Sequence, residues 1–317
     1  YTTILVLMAM HGLGAAGVWP LANSLATDAA PPERRGASIS YLYILGSVGM
    51  VVGLAVPGLL YAATGYWWTA FLLMGALTLA LGLACWGLLR QTPHVVSRGG
   101  RGGLGRVLTQ RHLILLCLAN FLSLYGMWVV FTWAPSYLAL ERGLGIQWAG
   151  VLTALVALTA IPGALMLGRL SDRWGRKRLA VALVAAAAAT IAGLASLEAP
   201  SATVVLLALY GFLGPMALGP AVYAWVVDVV ADSHLPVATA LATFSAISMV
   251  SSFVSPMVSG WLWDVTGSLR VAFYVGAAVV GLGAVCMLLP RETVAGRRLA
   301  PVPSGPTGEQ RTNHAPL

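Results

Sequence analysis

Long hydrophobic stretches alternate with short polar segments along the whole chain, and this pattern predicts membrane-spanning helices. A helix needs about 20 mostly apolar residues to cross a bilayer. Runs of that kind lie at roughly 3–26, 37–63, 67–89, 113–138, 148–168, 178–197, 202–229, 237–263 and 269–289. Glycine and proline inside several runs would break helices in water, but membrane bundles tolerate them.

The composition points to the same class of protein. Hydrophobic residues make up 59% of the chain and charged residues only 9%, whereas a soluble domain carries roughly 25% charged residues. Such a chain could not cover its own surface in water. We therefore predict an all-α polytopic membrane protein.

Basic residues fall almost entirely on one side of the predicted membrane. Alternate loops place sixteen Lys and Arg on one side, and only Arg142 and Arg270 on the other. Such an excess marks the cytoplasmic side. We expect a multi-pass protein of the plasma (inner) membrane with its C-terminus in the cytoplasm. The net charge of +8 comes from these loops, so nucleic acid is not an expected partner, whereas the lipid bilayer is.

The spans and loops divide the chain into four segments. We expect 1–89 to be a partial N-terminal half of three helices and 90–112 to be a central cytoplasmic loop. Residues 113–290 then form a six-helix C-terminal half. The Pro-, Gly- and Arg-rich residues 291–317 predict a disordered cytoplasmic tail.

An internal repeat relates the first three spans to the last three. The segment TGYWWTAF at 64–71 matches TGSLRVAF at 266–273, an offset of 202 residues. The middle spans, 113–197, have no partner, so we expect three further helices to precede Tyr1 and nine of twelve spans to be present. Parallel repeats of this kind are a transporter architecture.

A short basic loop between the fifth and sixth runs carries the clearest motif. Residues 168–178 read GRLSDRWGRKR. This loop resembles the signature of the major facilitator superfamily, G-x-x-x-D-R-x-G-R followed by two basic residues, at every defined position. With the spans, charge asymmetry and repeat, the resemblance covers essentially the whole chain, and it implies a helical bundle of the major facilitator type.

The residues of this loop suggest a tight turn and a gate. Gly168 allows close helix approach, Gly175 allows a left-handed turn, and an ionised Asp172 is favourable beside a helix N-terminus. The resemblance implies that Asp172 clasps the span beginning near 237 and stabilises an outward-facing state. Alternatively, the basic run only anchors the loop on the cytoplasmic side. The gating candidates are Gly168, Asp172, Arg173, Gly175, Arg176 and Lys177.

Two further motifs of the superfamily match in part. Residues 7–16 resemble R-x-x-Q-G-x-G-A-A, but Met8 replaces the arginine, which the family associates with proton coupling, and His11 replaces the glutamine. The second run resembles the glycine motif of antiporters, and close helix packing is the alternative. Its matching residues are Gly46, Gly49, Gly53, Pro57 and Gly58.

Polar and aromatic residues inside the spans are candidates for the solute site, because polar groups are costly in lipid. Tyr125, Trp128 and Thr132 share one helical face, which could line a cavity or serve packing. His11 could carry a proton or be a packing histidine. The cavity candidates are His11, Asn120, Tyr125, Trp128, Thr132, Tyr210 and Trp225.

Asp228 lies near the predicted cytoplasmic end of the seventh run. We expect it to pair with Arg173 or Arg176 in a structural or gating contact, and proton carriage is the alternative. The sequence contains no G-x-S-x-G, H-E-x-x-H or Walker-type loop. We therefore expect neither an enzyme nor an ATP-driven pump, and neither a cofactor nor a metal.

Together these features predict a monomeric secondary active transporter of a small solute, coupled to protons and working by alternating access. The segment WAPSYL at 133–138 is similar to organic-anion importers of the superfamily, which favours import of an organic acid. A multidrug or metabolite efflux antiporter is the first alternative. A non-transporting sensor or scaffold on the same fold is the second.

Overall fold

Helices joined by short turns make up the described part of the computed structural model, which covers 2–16, 18, 22, 25, 35–88, 109–231 and 237–292. Eleven helices lie in these residues, without a strand among them. They are α1 (Thr2–Ala16), α2 (Arg35–Thr64), α3 (Trp68–Leu88), α4 (Arg111–Leu140), α5 (Ile146–Trp174), α6 (Arg176–Ser196), α7 (Pro200–Leu213), α8 (Pro215–Ala231), α9 (Val237–Met249), α10 (Ser251–Thr266) and α11 (Leu269–Cys286).

Eight segments of the described chain are long and apolar enough to cross a membrane, and α1 adds a shorter apolar helix. The eight segments together with α1 coincide with the nine predicted runs. The predicted polytopic helical fold is therefore confirmed. Two runs differ in one respect. The spans Pro200–Val230 and Thr239–Thr266 each consist of two helices, because the chain breaks at Gly214 and at Val250.

Contacts between helix ends fix the direction of each span. We call the end of the bundle where α5 meets α6, at 168–178, the basic end. Asp228 near the end of α8 pairs with Arg176, and Glu292 beyond α11 reaches the same residue. Both α8 and α11 therefore finish at the basic end.

α2 packs along α5 with the two backbones in contact. A Cβ built on Gly58 would lie 2.9 Å from the Ile146 carbonyl oxygen, and one on Gly150 would lie 2.6 Å from that of Leu54. At Gly49, by contrast, a Cβ would meet no atom of the described chain within 4 Å. Close packing therefore explains Gly58 in the partial glycine motif but not Gly49. This contact joins the first group of spans, α1–α3, to the second, α4–α11.

The two copies of the internal repeat have the same turn. Gly65 and Gly267 both adopt the left-handed region, with φ of 74° and 71°. The hydroxyls of Thr64 and Thr266 donate to the carbonyl four residues earlier, at 2.7 and 2.6 Å. Each also accepts the backbone N–H two residues later, at 3.3 Å in both copies. The sequence repeat is therefore a repeat of hydrogen bonding as well.

Two consecutive charged residues fasten the end of the bundle opposite the basic end. The Glu141 carboxylate accepts the Leu269 N–H and the Ser268 hydroxyl at the first turn of α11. Arg142 donates to the Leu194 carbonyl, at 2.8 Å, in the last turn of α6. An anion at a helix N-terminus and a cation at a helix C-terminus both interact favourably with the helix dipole. The loop after α4 thereby holds α6 and α11 together.

Candidate gating site and solute-facing residues

A single residue, Gly175, joins α5 to α6 at the basic end. Its φ is 95° and its ψ 142°, a combination open essentially only to glycine. A Cβ at this position would also lie 2.8 Å from Oε2 of Glu292. Both the backbone geometry and the packing therefore require glycine here.

Glu292 caps the start of α6 from the far end of the chain. Its carboxylate oxygens accept the backbone N–H groups of Arg176 and Lys177, each at 3.1 Å. The first N–H groups of a helix have no partner within the helix, and the helix dipole favours an anion beside them. Glu292 thus provides acceptors for two backbone N–H groups that have no acceptor within the helix.

The described structure extends two residues, 291 and 292, into the stretch that the sequence predicts to be a disordered tail. The indole N–H of Trp225 donates to the Arg291 carbonyl at 3.0 Å, and Glu292 is bound as described. Both residues therefore belong to the bundle, while 293–317 lie outside the described residues. Sequence reasoning does not identify Glu292 as the cap of α6, although basic residues at a helix start are a signal that an anion is favourable there.

Asp228 and Arg176 form an ion pair between α8 and α6. The Nη1 to Oδ2 distance is 2.9 Å, and the side chains are only 5% and 11% exposed. The pair lies beside Glu292, so an acid from α8 and one from beyond α11 meet at the same turn. Breaking one partner of such a buried pair is strongly destabilising, because the other charge stays buried.

The remaining signature residues differ in what surrounds them. A Cβ at Gly168 would meet no atom of the described residues within 4 Å, so the close helix approach predicted for Gly168 is not seen among them. Gly163 has that role in α5, since its Cβ would lie 2.5 Å from the Phe212 carbonyl oxygen. Arg173 is exposed. The Asp172 side chain lies outside the described residues, so its contact with the span near 237 stays a prediction.

The candidate face of α4 is only partly open. Thr132 is exposed, Trp128 is half-buried, and Tyr125 is buried. The Trp128 indole nitrogen is buried and has no hydrogen-bond partner in the described structure. Asn120 donates to the Ser248 hydroxyl at 2.9 Å, and the Ser255 hydroxyl donates to the Tyr125 carbonyl at 2.8 Å. These two bonds tie α4 to the span that contains α9 and α10.

The other three cavity candidates lie apart from that face. Tyr210 is buried within α4–α11, and its hydroxyl would lie 3.7 Å from a Cβ on Gly126. Trp225 is fully buried at the basic end, next to the gating residues. His11 is exposed on α1. The structure therefore brings Trp225 and Asp228 to the signature loop and separates both from the α4 face.

Known proteins resemble the chain along most of its length. The family model described as Major Facilitator Superfamily matches residues 1–244 and 116–315. A probable sulfoacetate transporter of Cupriavidus necator is 26% identical, over 90% of this chain and 71% of the relative. The hexuronate transporter of Bacillus subtilis is 21% identical, over 99% and 76%. The 3-(3-hydroxy-phenyl)propionate transporter of Escherichia coli is 27% identical, over 90% and 70%.

Among solved structures, a bacterial homolog of the human lysosomal transporter Spinster, in an inward-facing and occupied conformation, has the same fold. It superposes with a TM-score of 0.63 at 17% identity, over 91% of this chain and 77% of that one. An unoccupied inward-facing structure of the same homolog gives a TM-score of 0.57.

Proposed function

The chain belongs to the major facilitator superfamily, and we propose that it carries a small organic anion across the membrane by alternating access. The superfamily consists of membrane transporters rather than enzymes. The relatives described above are named for sulfoacetate, hexuronate and hydroxyphenylpropionate. All three solutes are organic acids that are ionised near neutral pH, which supports the substrate class.

The observation that carries the transport mechanism is the ion pair between Asp228 and Arg176. Alternating access requires contacts at one end of the bundle that hold in one state and release in the other. This pair is nearly dry, at 5% and 11% exposure, so loss of either partner while the contact is closed would leave the other charge buried. When water reaches the pair, hydration of the two charges compensates for the loss of their mutual attraction. The pair is therefore suited to be a latch at the basic end, which we propose faces the cytoplasm.

Neutral hydrogen-bond donors are the described candidates for holding the anion. The Lys and Arg residues of the described spans lie near helix ends, away from the membrane centre. Trp128 offers a buried indole N–H without a hydrogen-bond partner in the described residues, and an indole can only donate. An anionic oxygen would satisfy that donor. We propose that Trp128 contacts the solute, with Asn120 and Thr132 on either side of it along α4.

Proton coupling forms a separate part of the proposal. His11 lies inside the apolar helix α1, and a histidine within a membrane helix is a candidate proton carrier. Asp228 is engaged in its ion pair, which favours a gating role for it. A protonophore should collapse concentrative uptake, and His11→Gln should abolish the concentrative phase while leaving exchange intact.

Exchange of labelled organic acids in proteoliposomes tests the solute class. The complete protein should exchange at least one of sulfoacetate, a hexuronate or an arylpropionate. Trp128→Phe keeps the aromatic volume and removes the donor, so it should raise KM several-fold. Trp148→Phe, at a side chain 59% exposed, is the matched control and should change nothing. Equal KM values for both variants would exclude Trp128 from the solute site.

A further inference from the structure

One side of α5 is exposed along the part of the helix that leads to the basic end. Its side chains recur every three or four residues, the spacing of a single helical face. Residues on the opposite side, such as Val156, Ala160 and Leu167, are at most 4% exposed. We call the exposed side the outer face of α5, and its members are Leu158, Pro162, Leu165, Met166, Arg169 and Arg173.

The outer face lies between two neighbouring helices. α2 packs against α5 at Gly150, where a Cβ would lie 2.6 Å from the Leu54 carbonyl oxygen. α7 packs against α5 at Gly163, where a Cβ would lie 2.5 Å from the Phe212 carbonyl oxygen. At 3.6 residues per turn, the outer face points between these two directions and away from the buried side of α5. The outer face is therefore the side of α5 that meets lipid.

The chemistry of the outer face changes at Arg169. Its exposed side chains from Leu158 to Met166 are all apolar, and the two that follow are the arginines. Arg169 and Arg173 are one turn apart, about 6 Å along the helix axis. Side chains at this spacing are neighbours on a helix surface, so both guanidinium groups can reach one phosphate.

Arg169 differs from the paired arginines of the bundle. Arg176 forms its ion pair with Asp228, and Arg270 with Glu198. No carboxylate of the described residues pairs with Arg169. Arg169 also occupies a position that the superfamily signature leaves undefined. Its charge is therefore a feature of this chain beyond the motif, and it is open to an anion from outside the described chain.

The length of α5 places the two arginines at the level of lipid headgroups. Trp148 is 59% exposed near the start of α5, and tryptophan side chains favour the interface between membrane and water. Arg169 follows 21 residues later, about 32 Å along the helix, and the hydrocarbon core is about 30 Å thick. Trp174, which is 66% exposed, lies just beyond the arginines. Arg169 therefore lies near the phosphate layer, with Arg173 one turn further into the headgroup region.

We infer that Arg169 and Arg173 bind the phosphate of an anionic phospholipid, such as phosphatidylglycerol, in the leaflet at the basic end. Guanidinium groups match phosphate oxygens in pairs of parallel hydrogen bonds. The apolar side chains of Leu165 and Met166 lie directly below and contact the acyl chains. A bound headgroup would hold the last turns of α5, immediately before the turn at Gly175. The lipid should therefore stabilise the folded protein.

Native mass spectrometry of the complete protein tests the headgroup preference. Mixed micelles supply dioleoylphosphatidylglycerol and dioleoylphosphatidylcholine in equal amounts, and the lipid that stays bound is counted. The wild type should retain the anionic lipid in preference. Arg169→Gln should lower that preference about five-fold, the usual contribution of one basic residue at an anionic surface. Arg169→Lys keeps the charge and should retain most of it.

Arg111→Gln is the matched control, because it removes an exposed arginine at the basic end of α4. Its preference should equal that of the wild type. An equal fall in Arg111→Gln and Arg169→Gln would reduce the effect to net charge and overturn the site. An unchanged preference in Arg169→Gln would overturn it as well. Neither result involves transport, so the proposed function stands or falls separately.

Thermal unfolding in detergent distinguishes a membrane lipid from a soluble phosphate compound. Dioleoylphosphatidylglycerol should raise the melting temperature of the wild type more than dioleoylphosphatidylcholine does, and the difference should shrink in Arg169→Gln. Glycerophosphoglycerol carries the same headgroup without acyl chains and should have little effect at the same concentration. Equal stabilisation by glycerophosphoglycerol would contradict a lipid site and indicate a site for soluble anions. Equal stabilisation of the wild type by the two lipids would contradict recognition of the headgroup charge.

Discussion

The carboxylate of Glu292 occupies the space that any side chain at Gly175 would need, with 2.8 Å between Oε2 and the ideal Cβ position. The two residues are far apart in sequence, yet they complete one structure. Gly175 turns the chain between α5 and α6, and Glu292 satisfies the N–H groups that the turn exposes. A residue that follows the last span, Glu292, therefore stabilises the basic loop.

Gly175→Ala should destabilise the protein by about 1–3 kcal/mol, the usual cost of a strained backbone conformation, and displace Glu292 as well. Thermal unfolding in detergent, followed by size-exclusion chromatography, measures the effect. Gly168→Ala is the control seven residues earlier, inside α5, because its Cβ would meet no described atom within 4 Å. A loss of stability as large in Gly168→Ala would contradict the account.

Asp228→Asn should destabilise the protein by about 1.5–3 kcal/mol, because it removes the carboxylate that lies 2.9 Å from the buried Arg176 guanidinium and such charged hydrogen bonds are the stronger ones. Removing both charges, in Asp228→Asn with Arg176→Gln, should restore part of the loss. A double-mutant cycle on thermal stability therefore gives a coupling energy of about 1 kcal/mol or more. Strictly additive effects of the two substitutions on stability would show that the 2.9 Å contact contributes no coupling energy.

Arg142→Gln should be much more damaging than Arg270→Gln at the opposite end of the bundle. Arg142 donates to the Leu194 carbonyl at 2.8 Å and to the Tyr137 hydroxyl at 3.0 Å, and its loss should cost about 2 kcal/mol or more. Arg270 pairs with Glu198 in a solvent-exposed contact, and such pairs contribute little. Similar melting temperatures for the two variants would contradict this assignment.

The contact between Glu198 and Arg270 should depend on pH. The hydrogen bond and the positive charge of Arg270 lower the pKa of Glu198. A carboxyl whose pKa is lower in the folded protein stabilises it above the unfolded pKa, and the contribution is lost as pH falls through the folded value. The small stability difference between wild type and Arg270→Gln should therefore vanish in acid and shrink with added salt. A difference that grows as the pH falls would disprove the pairing.

Features that depend on neighbouring residues in sequence could be predicted. The Thr-Gly turns at Gly65 and Gly267 need only a left-handed glycine and a threonine that caps its own helix, and both are local. The turn at Gly175 also needs a positive φ, but its ψ of 142° lies outside the left-handed helical region that the sequence predicts there. The spans follow from hydrophobic length alone, because lipid requires every backbone group to be bonded within the segment.

Features that depend on packing could not be predicted. Nothing near Glu292 in the sequence indicates that it binds a helix start 116 residues away. Gly168 and Gly163 belong to the same helix, and only the position of α7 decides which of them makes the close approach. The break at Val250 contains neither proline nor glycine. Its one local sign is the group of serines around it, which compete for backbone carbonyls.

The most direct test of the account is counterflow of a labelled organic acid into proteoliposomes that contain the complete protein. Vesicles preloaded with unlabelled acid should accumulate the labelled acid transiently, with a rate that falls at least several-fold in Gly175→Ala and stays at the wild-type level in Trp148→Phe, at an exposed side chain. Binding of the acid without counterflow would contradict transport and favour a sensor. Counterflow of lipophilic cations in place of acids would contradict the proposed substrate class.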